Sequence, residues 1–241
     1  MRRFYSPPDH VEDGQVTLGP EETRHLRDVL RLREGDEASV FDGLGREYLC
    51  KVASISKKDA TLKIVREVPP SSPESPLEIT LAAAILPGEK YEITVQKAVE
   101  LGVQMLQPLY TKRCEVKPGG SGRRLERWQK IAAESAKQSG RARLMKIAEP
   151  IEISEFFDES SSLSGAKIFF SERDGEGFSS IQADKQITAV FGPKGGWDDA
   201  ELADAKRSDF SIITFGGRIM RAETAAIAMT AILQHRFGDL S

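Results

Sequence analysis

The spacing of hydrophobic residues changes along this chain and divides it into two regions. Up to about residue 68, apolar and polar residues alternate in short segments, which is the pattern of half-buried β-strands. The predicted strands of this region are 15–18, 38–42, 47–54 and 60–68. Several short strands around one helix predict a small β domain of the barrel type.

One helix is predicted within this first region, from residue 20 to about residue 33. Pro20 and the two glutamates that follow it form a typical first turn, and Gly35 ends the segment. Leu26, Val29 and Leu30 recur at helical spacing and form the predicted buried side.

Three arginines of the same helix, Arg24, Arg27 and Arg31, are spaced so that they share one helical face. A stripe of this kind is typical of a surface that contacts phosphates. An ordinary solvated face produces the same pattern, so both interpretations stay open from the residues alone.

The second region follows a segment rich in proline and serine, residues 69–76. Its four prolines interrupt regular structure, so we predict a domain at 1–70, a linker at 71–76 and a second domain at 77–241.

Beyond the linker, short apolar strands without alternation are each followed by a helix. The predicted strands are 79–86, 105–110, 167–171, 187–191 and 211–215, and the predicted helices are 89–101, 125–139, 198–206 and 222–236. This order predicts an α/β domain with a parallel sheet covered on both faces.

Charge adds a hint about the partner. The 241 residues carry a net charge of −3, which argues against indiscriminate binding to polyanions. Residues 77–150 carry 13 Lys and Arg against 8 Asp and Glu, whereas residues 151–241 carry 9 against 15. A locally basic surface on an acidic protein favours a selective RNA partner, although an asymmetry of this size is common.

We expect a cytoplasmic protein without a membrane span, because long apolar runs are absent and cysteines are few.

Two predicted strands end in glycine-rich turns. Gly192-Pro193-Lys194-Gly195-Gly196 follows strand 187–191, and Phe215-Gly216-Gly217 follows strand 211–215. The carboxyl ends of parallel strands meet at one sheet edge, so these turns can form one pocket in which a ligand meets bare backbone. For either turn alone, an ordinary strand-to-helix connection is the simpler interpretation. No dinucleotide-binding motif, phosphate-binding loop or metal-ligand spacing occurs in the sequence.

These turns resemble the signature of SPOUT-class RNA methyltransferases. The similarity is greatest to the RsmE family, and it extends through 1–5, 25–31, 35–36, 97–103, 134–141 and 217–225. The resemblance implies a PUA-like β-barrel that binds RNA, followed by an α/β domain tied into a deep trefoil knot. It also implies S-adenosylmethionine-dependent methylation of N3 of a uridine in 16S ribosomal RNA of the small ribosomal subunit. One residue departs from the pattern, since the family usually has glutamate at the position of Lys194.

The resemblance also implies which residues bind the ligands. The residues expected to contact S-adenosylmethionine are Phe170, Ser171, Gly192, Gly195, Gly196, Phe215, Gly216, Ile219, Met220 and Ala225. Those expected to contact RNA are Arg2, Arg3, Arg24, Arg27 and Arg31. For Phe215 and Ile219, an ordinary place in the core is an equally good interpretation.

Two residues at the start of the last helix are the catalytic candidates. Arg221 can hold a uracil carbonyl oxygen as negative charge develops on the base. Pairing of Arg221 with Glu223 or with a neighbouring carboxylate, to hold the loop, is the alternative. Glu223 can accept a proton, or it can act as a helix-terminal or orienting residue. The sequence does not identify a general base.

Two expectations concern the whole protein. The family habit and an apolar face on the last helix predict a homodimer; that face is Ala225, Ala226, Ala228, Met229 and Ile232. The same face can instead belong to the core of one chain. An RNA-binding protein without activity, whose α/β domain is only a scaffold, is the alternative function, and saturable binding of S-adenosylmethionine separates the two.

Overall fold

The computed structural model describes residues 2–183 and 185–240. The chain forms two compact units. The first is Met1–Glu74 with Ala133–Leu144, and the second is Ser75–Ala132 with Met145–Ser241. The addition of 133–144 to the first unit is not indicated by the hydrophobic pattern. The limits 1–70, 71–76 and 77–241 stay a prediction.

The first unit is built on a six-stranded sheet with the order β1-β4-β5-β6-β3-β2. Its strands are β1 (Arg3–Tyr5), β2 (Val11–Glu12), β3 (Gln15–Leu18), β4 (Glu37–Phe41), β5 (Glu47–Ile55) and β6 (Ala60–Val68). Alternation works as predicted in β3, where Val16 and Leu18 are buried and their neighbours Gln15 and Thr17 are exposed. The inward-facing residues form one core with Leu26 of the helical segment.

The predicted helix from residue 20 to 33 is wrong in its second half. A short helix, α1 (Pro20–Arg24), continues into a single π-helical turn over His25–Val29. The amide of Leu30 donates to the carbonyl of His25 at 3.0 Å, and Arg31 then takes a left-handed φ of 53°. The wider turn shifts the helical phase, so Val29, expected in the core, is 66% exposed.

The second unit contains a seven-stranded sheet with the order β10-β8-β7-β12-β11-β13, in which β9 also pairs with β8. Its strands are β7 (Glu78–Ala84), β8 (Met105–Tyr110), β9 (Lys146–Ile147), β10 (Ile151–Glu152), β11 (Ala166–Phe170), β12 (Gln186–Phe191) and β13 (Ser211–Ile213). All recorded strand pairs in this sheet are parallel. Residues 187–191 are all buried, as expected for a parallel strand covered on both faces.

Helices connect these strands. They are α2 (Glu89–Glu100), α3 (Ser121–Ser139), α4 (Ile153–Glu159), α5 (Asp199–Arg207) and α6 (Ala222–Phe237). The parallel α/β prediction is confirmed, whereas the short elements β9, β10 and α4 were not predicted. The trefoil knot stays a prediction. Among the described residues, every helix is too short or too polar to span a membrane.

Candidate active site

A cavity of about 360 Å³ lies at the carboxyl ends of β11, β12 and β13. These three strands are neighbours, with β11 in the middle, paired with β12 by Ile168–Ala189 and with β13 by Phe169–Ile212. Its volume lies in the usual range for small-ligand sites. The sheet order therefore gathers three loops that are far apart in the sequence.

The structure brings together all ten residues that the sequence put forward for the cofactor. They line this one cavity from three segments, namely the end of β11, the loop after β12, and the loop after β13 with the start of α6. The ten are Phe170, Ser171, Gly192, Gly195, Gly196, Phe215, Gly216, Ile219, Met220 and Ala225.

One wall of the cavity is aromatic and firmly packed. The rings of Phe170 and Phe191 stack with centroids 4.7 Å apart and planes 12° apart. The buried indole of Trp197 donates from Nε1 to the carbonyl oxygen of Phe170 at 2.8 Å and packs on Phe169 at 4.2 Å. The end of β11 is therefore fixed by the tryptophan that follows the glycine loop.

The structural surroundings of the glycines in this loop differ from one position to the next. A Cβ on Gly192 would lie 2.8 Å from Cε2 of Trp197, so this glycine admits the indole. Gly196 has a φ of +70°, and a Cβ there would lie 2.9 Å from Oε1 of Glu172. A Cβ on Gly195 would lie 3.3 Å from Cβ of Arg113. Close packing and backbone conformation within the protein therefore account for Gly192 and Gly196, whereas a side chain at Gly195 would need only a small shift of Arg113.

The loop after β13 is much more open. Ile219 is 91% exposed, so its placement in the core is excluded. Phe215 is half-buried and meets Phe178 edge to face at 5.5 Å. A Cβ added to Gly216, whose φ is +70°, or to Gly217 would meet no atom within 4 Å. This segment therefore leaves room at the cavity mouth.

The two catalytic candidates stand beside the cavity rather than in its lining. Arg221 is the N-cap residue of α6 and is exposed, while its neighbours Met220 and Ala222 line the cavity. Glu223 is half-buried in the first turn. Within the described residues, Arg221 makes no ion pair with Glu223 or with any other carboxylate, so the loop-holding pair suggested as an alternative is not formed.

Sequence reasoning missed several residues of the lining. Phe191, Trp197 and Met229 supply apolar surface, and Glu172 and Arg218 supply charge. Glu172 directly follows Ser171 at the end of β11, so the rule that strand ends meet at one edge was sufficient to include it. Its side chain is 40% exposed and overhangs Gly196.

Lys194, the residue that departs from the family pattern, lies at the rim of the cavity. Its Nζ is 3.2 Å from Oε1 of Glu115, and both side chains are more than half exposed. The lysine therefore forms an ion pair with the loop after β8.

Among the described residues, no group of three or more His, Cys, Asp or Glu side chains is arranged to hold a metal ion.

Comparison with known proteins agrees with this geometry. Residues 73–234 match the family described as RNA methyltransferase domain, and residues 18–65 match the RNA methyltransferase PUA domain family. The chain belongs to the ribosomal RNA small subunit methyltransferase E family. The Synechocystis member is 33% identical over 92% of this chain and 74% of its own length. The Bacillus subtilis member is 30% identical over 96% of both chains.

A solved structure supports the same family assignment. The family member from Neisseria gonorrhoeae has been crystallised with bound S-adenosyl methionine. Its crystal structure superposes on this chain with a TM-score of 0.91. It is 34% identical and covers 100% of both chains. The predicted SPOUT-type parallel α/β domain and the PUA-like first domain are thereby confirmed, and so is the enzyme class. The alternative of an inactive scaffold is not supported.

In the first unit, the surroundings of Arg3 contradict its predicted contact with RNA. Arg3 is only 2% exposed, and its Nη2 lies 3.1 Å from Oε2 of Glu47. The same guanidinium donates to the carbonyl oxygens of Ala136 and Arg141, both at 2.9 Å. A cation enclosed in this way has no free face for a phosphate, so the predicted RNA contact of Arg3 is wrong.

The other four arginines differ in their surroundings. Arg2, Arg24 and Arg31 are exposed. Arg27 donates to both carboxylate oxygens of Asp28, at 2.7 and 2.8 Å, and this hydrogen bonding raises its pKa. The π-helical turn separates Arg31 from the helical face of Arg24, so the three arginines do not form the regular stripe that the spacing predicted.

Proposed function

We propose that this protein uses S-adenosylmethionine to methylate N3 of a uridine in the 16S ribosomal RNA of the small ribosomal subunit. The observation that carries the proposal is the single cavity in which all ten expected cofactor positions meet. The cytoplasm, where ribosomal subunits assemble in bacteria, is the corresponding location.

The residues present fit S-adenosylmethionine. Phe170 and Phe191 supply a flat apolar wall that suits an adenine ring, and Met229 extends it. Exposed backbone of the glycine loops supplies hydrogen-bonding groups without side chains in the way. The carboxylate of Glu172 places negative charge beside the cavity, which suits a positively charged ligand. When bound, the cofactor supplies a methyl group activated on a sulfonium.

The chain's own contribution to the reaction is to place the uracil and stabilise its anion. Loss of the N3 proton spreads negative charge over two carbonyl oxygens of the base. The planar guanidinium of Arg221, free of ion pairs within the described residues, suits such an acceptor. The amino terminus of α6 adds partial positive charge on the same side. Glu223, half-buried in the first turn of α6, either accepts the N3 proton on its carboxylate or orients the base.

RNA docking is proposed for the exposed arginines of the first unit. Arg2, Arg24 and Arg31 present exposed guanidinium groups, and Arg27 adds a partly neutralised one. Phosphate contacts of this kind position an RNA without reading its sequence.

A homodimer formed through α6 is a further part of the proposal. Ala226 and Met229, expected on the free face, are buried within the chain and belong to its core. Ala225, Ala228 and Ile232 stay partly exposed and form the remaining apolar face. Sedimentation that shows a monomer at micromolar concentration would contradict this assembly.

Product analysis tests the proposed reaction. The protein is incubated with small ribosomal subunits lacking the modification and with S-adenosylmethionine labelled in its methyl group, and the RNA is then digested to nucleosides. The proposal predicts that the label appears in 3-methyluridine. Label in another nucleoside, or no label with an excess of folded protein that binds S-adenosylmethionine, would overturn the assignment of N3 of uridine.

A further inference from the structure

A second group of basic residues lies on the α/β unit, between the end of β8 and the middle of α3. Within 112–130 there are seven lysines and arginines against two glutamates. The seven are Lys112, Arg113, Lys117, Arg123, Arg124, Arg127 and Lys130. All except Arg124 are exposed. These seven residues are called the 112–130 surface below.

The loop of the 112–130 surface is attached to the rim of the cavity. Nη1 of Arg113 donates to the carbonyl oxygen of Gly195 at 3.2 Å. Nζ of Lys112 lies 3.0 Å from Oδ1 of Asp198, the residue that caps α5. The ion pair between Lys194 and Glu115 adds a third connection. The surface therefore begins at the rim of the cavity, beside the glycine loop that follows β12.

The helical part of the surface turns one basic face to solvent. Arg123, Arg127 and Lys130 are spaced at i, i+4 and i+7 along α3, away from the buried Trp128. Arg127 is already neutralised, since its Nε lies 2.6 Å from Oε1 of Glu92. Within the described residues, Lys117, Arg123 and Lys130 have no carboxylate partner, so their charge is available to an outside anion.

The character of the surface favours nucleic acid over protein. Interfaces with nucleic acid are polar and strongly positive, whereas the centre of a protein interface is apolar and poor in charge. No large apolar side chain is exposed within the described part of 112–130. The surface therefore lacks the apolar anchor that a protein partner needs.

We propose that the 112–130 surface binds the phosphate backbone of the substrate RNA next to the target uridine. The inference rests on the RNA methyltransferase function and adds an RNA site on the catalytic unit itself. Lys117, Arg123 and Lys130 make the phosphate contacts, and Lys112 and Arg113 hold the loop against the cavity rim.

The test is the salt dependence of RNA affinity, measured by filter binding of transcribed 16S ribosomal RNA to the full chain. The test variant replaces Lys117, Arg123 and Lys130 with alanine. Each lost phosphate contact reduces the magnitude of the negative log–log slope by ~0.7 to 0.9, so three lost contacts reduce it by about 2 to 3. At moderate salt, affinity falls by at least tenfold.

A second triple variant with the same change in charge is the control. Lys146 begins β9, Lys185 precedes β12 and Lys206 lies in the last turn of α5. These exposed lysines lie at the sheet edge opposite the cavity, and replacing them with alanine leaves the slope unchanged. Both triple variants are expected to bind S-adenosylmethionine as tightly as the unmodified protein does. Failure of this inference would therefore appear in RNA binding alone, whereas failure of the proposed function would appear in cofactor binding or methylation by the unmodified protein. Equal slopes for the two triples would overturn it.

Discussion

Nε1 of Trp197 donates a 2.8 Å hydrogen bond to the carbonyl oxygen of Phe170, which joins the loop after β12 to the end of β11. The indole reaches this position because Gly192 has no side chain. The contact fixes two of the three segments that line the cavity, so the shape of the site depends on a glycine that need not touch the ligand.

Substitution of Gly192 by alanine is expected to destabilise the protein. The new Cβ would lie 2.8 Å from the indole, and overpacking of this kind costs about 1 to 3 kcal/mol. Urea unfolding measures the change. Gly217→Ala is the matched control, since no atom lies within 4 Å of its added Cβ, and we expect it to stay within about 0.5 kcal/mol. Equal stabilities of the two variants would contradict the proposed packing role.

Charge reversal tests the pair at the rim of the cavity. Lys194→Glu places a carboxylate against Glu115, where the unmodified pair is 3.2 Å apart. Because both groups are well exposed, the loss of stability is at most about 1 kcal/mol. The double variant Lys194→Glu, Glu115→Lys is expected to recover most of it. A double-mutant cycle in thermal unfolding measures the coupling, and zero coupling would show that the pair is incidental.

The buried pair of Arg3 and Glu47 predicts a dependence of stability on pH. Burial alone raises the pKa of Glu47, but hydrogen bonds from Arg3 and from the Ser71 amide outweigh it and lower the pKa below its usual 4.5. A lowered folded pKa means that the carboxylate stabilises the fold above the unfolded value. This contribution disappears as the pH falls through the folded value.

Glu47→Gln leaves the Arg3 guanidinium buried without its counter-charge, which costs about 3 to 5 kcal/mol at neutral pH. Unfolding of both proteins between pH 3 and 7 is expected to show a difference that shrinks below about pH 4.5. A difference that stays constant down to pH 3 would show that the charge of Glu47 does not matter.

Arg221→Ala is expected to separate catalysis from cofactor binding. Its side chain lies outside the cavity lining, so affinity for S-adenosylmethionine stays close to that of the unmodified protein. Loss of one donor to a developing oxyanion typically lowers the rate by about two to three orders of magnitude. Single-turnover methylation measures this loss, and Arg221→Lys recovers little of it. If cofactor affinity and thermal stability fall together with the rate, the result would contradict a catalytic role for Arg221.

Local signals account for most of what the sequence predicted correctly. Glycine turns after apolar strands located the cavity, because strand ends in a parallel sheet share one edge. Arg3 was misassigned because its partners lie 44 or more positions away, and no local pattern indicates such a clamp. The π-helical turn at His25–Val29 was missed because a helical pattern does not reveal a local change of hydrogen bonding.

Titration calorimetry with S-adenosylmethionine tests the central claim most directly. The unmodified protein is expected to bind one equivalent per chain in the cavity between the three loops. Ala225 lines this cavity from the first turns of α6, so Ala225→Leu fills part of the space and is expected to weaken binding by at least tenfold. Its melting temperature stays unchanged. Undiminished affinity in a folded Ala225→Leu variant, or the absence of binding by the unmodified protein, would contradict the account.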